Sequence, residues 1–259
     1  MQRIRRLLET RNFCGSTVVE PHGGGPRRFH GGVMQQTMSS RALVRLYDNR
    51  AKVYDSLMGR ARYASSIRTI IDSLSVRLRP RARILDLGCG TGLATAALAD
   101  RFSRASIVGV DCSEQMLRIC HAKFPGVELV VGDFNNGQGL RSFTSGRRVR
   151  LRDGSFDLII STGAVSEYGL LDSVVPMVYS LLRDRGVFVN IGIKRNLINM
   201  MSGIVWRFHP KSRTRFISAC RDSGFARVDV ISIPWKLFPT NCLKYAVKAV
   251  KQPLTPIRP

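Results

Sequence analysis

Three aspartates close three strand-like runs: Asp86 within Ile84-Leu85-Asp86-Leu87, Asp111 at the end of Val108-Gly109-Val110-Asp111, and Asp133 after Val130-Val131-Gly132. The first run passes through Gly88-Cys89-Gly90-Thr91-Gly92 into a helical pattern beginning Leu93-Ala94-Thr95-Ala96. Glycines there let backbone approach a ligand and tighten the strand-to-helix turn. A dinucleotide-binding turn wants Gly or Ala where Leu93 stands, and Asp86 would repel a pyrophosphate but attract an ammonium group. No Lys-Ser/Thr follows the glycines, which excludes a P-loop. The ligand that fits is a nucleoside carrying a cationic amino-acid arm and no phosphate. Asp111, nineteen residues beyond Gly92, is placed to accept from a ribose diol. Asp133 is placed to accept from an adenine amino group, with Phe134 against the ring, and Ser113 caps the next helix.

These residues need a scaffold that lines up strand ends, and the chain predicts one. From Arg41 to Val76 apolar residues recur at helical spacing, which suggests two helices joined around Gly59. Strand-like runs then alternate with helical ones: 83–87, helix 91–102, 106–111, helix 113–123, 127–131, a basic turn-rich insertion near 135–154, 156–161, helix 171–182 and 187–193. This alternation predicts a parallel sheet covered on both faces. A helix over 211–223 precedes strands 226–233 and 242–250, whose short Pro-containing link suits an antiparallel pair. The expected fold is α/β, a Rossmann-like, seven-stranded, mostly parallel sheet with an antiparallel last strand, helices on both faces and an N-terminal helical cap. The expected organisation is a mobile basic extension over 1–40 and one domain over 41–259. That domain divides into a helical cap (41–80), a cofactor-binding core (81–193), a substrate-side insertion (194–215) and C-terminal strands (216–259).

The string ILDLGCGTG, with VGVDCSEQML, VGDF and GSFDLIISTGA, resembles the class I S-adenosylmethionine-dependent methyltransferases, in particular the branch that includes ubiquinone/menaquinone-biosynthesis and small-molecule enzymes. The resemblance runs from about Arg41 to Val250. It implies S-adenosylmethionine as cofactor, with Asp86, Gly88 and Gly90 around its methionine part, Asp111 at the ribose, and Asp133 with Phe134 at the adenine. Cys112, Met116 and Ser161 complete the expected cofactor-binding set. Tyr47-Asp48 and Tyr54-Asp55 resemble the Tyr-Asp element that precedes the core in this branch, and Tyr54 is the tyrosine expected to close the cofactor site.

Methyl transfer from a sulfonium is an in-line displacement that releases a neutral thioether, so alignment, exclusion of water and removal of any acceptor proton are what the protein must supply. The candidate bases are Glu167, Tyr168 and His209. The turn Ser161-Thr162-Gly163-Ala164 lacks the Asn/Asp-Pro-Pro-aromatic signature that the family implies for methylation of DNA-base amino groups. Beyond strand 187–193, Leu197-Ile198, Met200-Met201, Ile204-Val205-Trp206 and Phe208 are bracketed by Lys194, Arg195, Arg207 and Lys211. Such a segment suits a lid over a small-molecule pocket, core packing, or a membrane interface with cations near anionic headgroups.

The formal charge of +23 is uneven: residues 84–185 are balanced, and the excess lies on both flanks. Surfaces that face something anionic would explain it, as would a compositional preference for arginine. Six dispersed cysteines without a Cys-x-x-Cys pair give no sign of a metal site or disulfide framework, and point to a reducing compartment. The expected location is cytoplasmic, with peripheral contact to an anionic membrane as one option. The alternative is mitochondrial if Arg-rich residues 1–40 are a transit peptide, against which Glu9 and Glu20 count. The expected reaction is methylation of a small or amphiphilic metabolite, such as a quinone precursor or lipid. An RNA methyltransferase using the basic flanks ranks below it, and a catalytically silent docking protein lower still.

Overall fold

Strands form where β-branched and aliphatic residues run without interruption, as expected of strands buried on both faces. The computed structural model describes residues 40–60, 63–135 and 139–253. It contains β1 (Arg83–Leu87), β2 (Ser106–Asp111), β3 (Glu128–Val131), β4 (Arg141–Ser142), β5 (Phe156–Thr162), β6 (Leu182–Ile193), β7 (Phe225–Ile231) and β8 (Lys244–Lys251). They build one sheet of order β4-β3-β2-β1-β5-β6-β8-β7. β3, β2, β1, β5 and β6 pair in parallel, and β8 runs antiparallel to both β6 and β7.

The helices are α1 (Ser40–Arg60), α2 (Tyr63–Ser73), α3 (Leu93–Arg101), α4 (Glu114–Lys123), α5 (Val165–Tyr168), α6 (Leu171–Leu181), α7 (Leu197–Trp206), α8 (Arg213–Asp222) and α9 (Thr240–Leu243). Successive strand residues face opposite sides of a sheet. Ile84, Leu158, Ile160, Val189 and Ile191 therefore pack under α2 and α3, while Leu85, Leu87, Ile159, Phe188 and Val247 pack under α6 and α8. A third cluster sets Leu117 and Cys120 of α4 on Leu129, Val131 and Cys89. At the amino end of β5, Asp157 accepts from Arg79 Nε at 2.7 Å, Arg183 Nη1 at 3.0 Å and the Arg83 amide at 2.9 Å, which ties three elements together.

The α/β class, the mostly parallel sheet and the antiparallel last strand agree with the expectation. The strand count is corrected from seven to eight. The added strand, β4, is only two residues long and lies inside the insertion read as turns, where it pairs antiparallel with β3. β6 starts at Leu182 rather than 187, because the polar Arg183-Asp184-Arg185 reads as a turn but continues the strand. α1 runs through Gly59 to Arg60 and α2 starts at Tyr63, while residues 61–62 lie outside the described residues. The extension over 1–39 also lies outside them. β7 and β8 are linked by a 3-10 turn at Trp235–Leu237 and α9 rather than by a bare loop.

Candidate active site

The register places Asp86, Asp111 and Asp133 at the carboxyl ends of β1, β2 and β3, the edge where open α/β sheets bind ligands. The turn after β1 takes positive φ at Gly88 (72°) and Gly90 (53°), conformations that L side chains rarely adopt. A Cβ on Gly88 would stand 2.3 Å from the Cβ of Ala164, so this turn packs directly on the one after β5. A Cβ on Gly90 would meet nothing within 4 Å, and the backbone there borders open space.

Asp86 is fully buried. Its Oδ2 accepts from Thr95 Oγ1 at 2.8 Å, while Oδ1 has no hydrogen-bond partner among the described residues. Burial pushes its pKa up to about 7, against the pull of the Thr95 hydroxyl. A buried carboxylate oxygen without a donor costs free energy unless a ligand supplies one. Asp111 accepts from the Gly90 amide through Oδ2 and from the Ser113 amide through Oδ1, both at 2.9 Å, so it orders the glycine turn while each oxygen keeps a further acceptor site. Burial raises its pKa as well. Asp133 accepts from the Asn135 amide at 2.9 Å and from Asn135 Nδ2 at 3.0 Å. Phe134 is half-buried against the core, and Cys112 is half-buried beside the ring of acids that raises its thiol pKa after burial itself. Met116 is core, and Ser161 is buried with its hydroxyl accepting from the Val165 amide, so it starts α5.

α1 closes this edge from above. Tyr47-Asp48 recurs as Tyr54-Asp55 seven residues on, two helical turns apart, so each pair presents the same faces. Asp48 accepts from Ser113 Oγ at 2.6 Å, and Asp55 accepts from Thr91 Oγ1 and from the Lys123 ammonium. The two aspartates thus clip α1 to the turns that follow β1 and β2. The tyrosines join an aromatic group: Tyr47 and Tyr54 each lie 6.0 Å from the Trp206 ring, Tyr47 lies 5.9 Å from Tyr168, and Phe208 packs on Tyr168 at 6.1 Å. Tyr168 Oη donates to the Trp206 carbonyl at 2.9 Å, and Arg50 lies 4.6 Å from the Trp206 ring centre.

Of the three candidate bases, two enter the site. Glu167 is buried, with Oε1 accepting from the Ile193 amide at 2.7 Å and Oε2 from Ser166 Oγ at 2.9 Å; burial raises its pKa, opposed by Lys244 and Lys211. Tyr168 is committed to the aromatic roof. His209 is exposed after Phe208, and no hydrogen bond or ring contact ties it to the cluster among the described residues.

Two residues that sequence reasoning missed stand with Glu167. Lys244 opens β8 opposite Ile193 and places Nζ 3.5 Å from Tyr63 Oη and 4.6 Å from the Tyr63 ring centre. Burial lowers the Lys244 pKa, and Glu167 works against that shift. The Tyr63 hydroxyl has its pKa raised by burial and then by Glu167, with Asp86 contributing in the same direction. Tyr63 and Lys244 are 181 residues apart, so only the sheet order joins them. Thr95 was also missed, although a lone hydroxyl in the apolar run of α3 was a signal. Among the described residues, no group of three or more His, Cys, Asp or Glu side chains is arranged to hold a metal ion.

Residues 84–186 match the methyltransferase domain family. The chain is 38% identical over 88 residues to a trans-aconitate 2-methyltransferase of Deinococcus radiodurans, covering 34% of this chain and 28% of that protein. It is 27% identical over 152 residues to a malonyl-[acyl-carrier protein] O-methyltransferase of Priestia megaterium, covering 58% and 50%. These matches span half or less of the relatives' length. Among solved structures, a phosphoethanolamine N-methyltransferase 2 of Haemonchus contortus superposes with a TM-score of 0.64 at 15% identity, covering 83% of this chain and 60% of that one. That likeness concerns the fold.

Proposed function

We propose that this chain, a class I S-adenosylmethionine-dependent methyltransferase by its domain over residues 84–186, transfers a methyl group to a small or amphiphilic metabolite in the cleft at the carboxyl edge of the sheet. The observation that carries the reading is Asp86 Oδ1, a buried acceptor without a donor among the described residues, at the same sheet edge as Asp111 and Asp133. That set suits S-adenosylmethionine: an ammonium for Asp86, a ribose diol for the outward lone pairs of Asp111, and adenine between Asp133 and Phe134. When bound, S-adenosylmethionine supplies an electrophilic methyl and a neutral leaving group.

The chain's own residues do the rest. Gly88 and Gly90 bring the backbone close enough for the donor to sit against the turn. Tyr47, Tyr54, Tyr168 and Trp206 roof the cleft and exclude water. Lys244 Nζ and Tyr63 Oη, beside the turn after β5, hold the acceptor for in-line attack. Glu167 opposes the lowering of the Lys244 pKa by burial, and the pair favours an acceptor with an anionic or oxygen-bearing group. The acid-derived acceptors named for the two relatives, trans-aconitate and malonyl-[acyl-carrier protein], fit that preference. His209 takes no part.

Calorimetry with S-adenosylhomocysteine tests the donor half. Binding is expected for the unaltered chain and weakened at least about tenfold in Asp111→Ala, as loss of charge-assisted hydrogen bonds implies. Equal binding by the variant would overturn the assignment. A methyl-release assay over carboxylate, phenol and lipid acceptors tests the other half.

A further inference from the structure

We propose that α7 and the turn Trp235–Phe238 form a docking surface for an anionic membrane. α7 is turned inside out. Asn199 and Gly203 face the protein, while Leu197, Ile198, Met200, Met201, Ile204 and Val205 face outward at 54–77% exposure. Trp235 and Phe238 are exposed at 84% and 69%. Of ten large apolar side chains exposed among the described residues, eight belong to these two segments, six of them on α7 alone, so exposed apolar surface is concentrated and not scattered.

The start of α7 is hydrogen-bonded to α9, the short helix that follows the Trp235–Phe238 turn in the chain. Asn199 Nδ2 donates to the Leu243 carbonyl at 2.8 Å, Asn196 Nδ2 to Cys242 O at 3.1 Å and Lys194 Nζ to Asn241 O at 2.7 Å. Asn199, buried within α7, and Lys194 and Asn196 just before it therefore fasten the helix to α9, leaving its apolar face outward.

Charge selects the occupant. Between Ile193 and Arg221, and again from Val230 onward, the sequence has no Asp or Glu, while Arg195, Arg207, Arg213 and Lys236, within or near these segments in the chain, are exposed. An apolar helix face accompanied by bases and an exposed Trp is the composition that lies in an anionic lipid interface. A second copy of the chain suits it poorly, because a two-fold contact sets each patch on itself and brings these bases against one another. The carboxyl end of α7 carries Trp206, part of the roof over Asp111 and Glu167. Resting on the methyl-transfer reading, the same helix would then let an amphiphilic acceptor enter from the bilayer surface.

The test uses the full chain, sedimented with vesicles of phosphatidylcholine alone or with added phosphatidylglycerol, beside calorimetry with S-adenosylhomocysteine. The unaltered chain is expected to bind the anionic vesicles at least about tenfold more tightly than the neutral ones, and less so at high salt. Ile198→Asp with Ile204→Asp is expected to lose that binding about tenfold while nucleoside binding is unchanged. Should that variant lose nucleoside binding as well, Trp235→Ser with Phe238→Ser, at two exposed positions, decides in its place. Failure of the unaltered chain to bind anionic vesicles, retention of binding in the variant that keeps its nucleoside affinity, or a dimer in solution that the substitutions dissolve would each overturn the proposal. Vesicle binding and nucleoside binding are read separately, so either reading fails without the other.

Discussion

Thr95 Oγ1 donates to Asp86 Oδ2 at 2.8 Å, and Asp86 Oδ1 has no donor among the described residues, so one hydroxyl orients the buried carboxylate toward the nucleoside proposed above. Asp86→Asn keeps the shape and removes the charge. It is expected to weaken S-adenosylhomocysteine binding by about 1.5–3 kcal/mol, the worth of a hydrogen bond to a charged group, as read by calorimetry.

The same group sets a pH dependence. The Asp86 pKa is raised from 3.8 to about 7, so the folded chain retains a proton that the unfolded chain releases. Ligand-free stability therefore falls as pH rises from about 4 to about 7, by a few kcal/mol at most, and is level above that. Donor affinity moves the other way, rising through pH 7 as the carboxylate ionises. Melting curves without ligand should show Asp86→Asn more stable than the unaltered chain at pH 8, and equal melting temperatures there would contradict this.

Two glycines in one turn separate folding from binding. Gly88→Ala meets the Ala164 Cβ and a φ of 72°, and is expected to cost more than the roughly 1–2 kcal/mol of the left-handed conformation alone. Gly90→Ala pays that conformational cost but meets no neighbour, so its methyl enters the cleft. Thermal melting should single out Gly88→Ala, whereas ligand titration should find the loss of affinity in Gly90→Ala even where the chain is folded.

Lys244→Met is expected to leave donor binding within about twofold while raising the acceptor KM about tenfold, by loss of one charged contact. Steady-state kinetics on any acceptor found in the methyl-release assay checks it. An unchanged KM would move the acceptor site elsewhere.

Asp157 accepts from two guanidinium groups and a backbone amide, and these partners hold its pKa low despite the opposing effect of burial. Its contribution is complete above the unfolded carboxylate value and is lost as pH falls through the lower folded one. Asp157→Asn should lower stability at pH 7 by about 1–3 kcal/mol, or roughly 2–4 °C in melting temperature for each kcal/mol, with no effect at the distant donor site.

The cofactor edge was legible because its chemistry is local: each acid closes an apolar run, and period and glycine spacing reveal both at once. On the proposed acceptor side only Glu167 was legible, since Tyr63 and Lys244 come from distant stretches that the packing of α2 on the sheet and the β6–β8 pairing bring together. β4 escaped because two residues carry no alternation to detect. Both Tyr47-Asp48 and Tyr54-Asp55 carry the Tyr-Asp pairing, and the structure adds what the aspartates do: Asp48 and Asp55 anchor α1, which frees both tyrosines for the roof.

β8 is the strand that reverses direction, so its first residue, Lys244, lies opposite Ile193 at the edge where the parallel strands finish. The donor cradle we propose lies between Asp86 and Phe134, whereas the ammonium proposed to face the acceptor is added more than a hundred residues later. During synthesis, a nascent chain would carry Tyr63 and the acids proposed to hold the nucleoside well before it possessed Lys244.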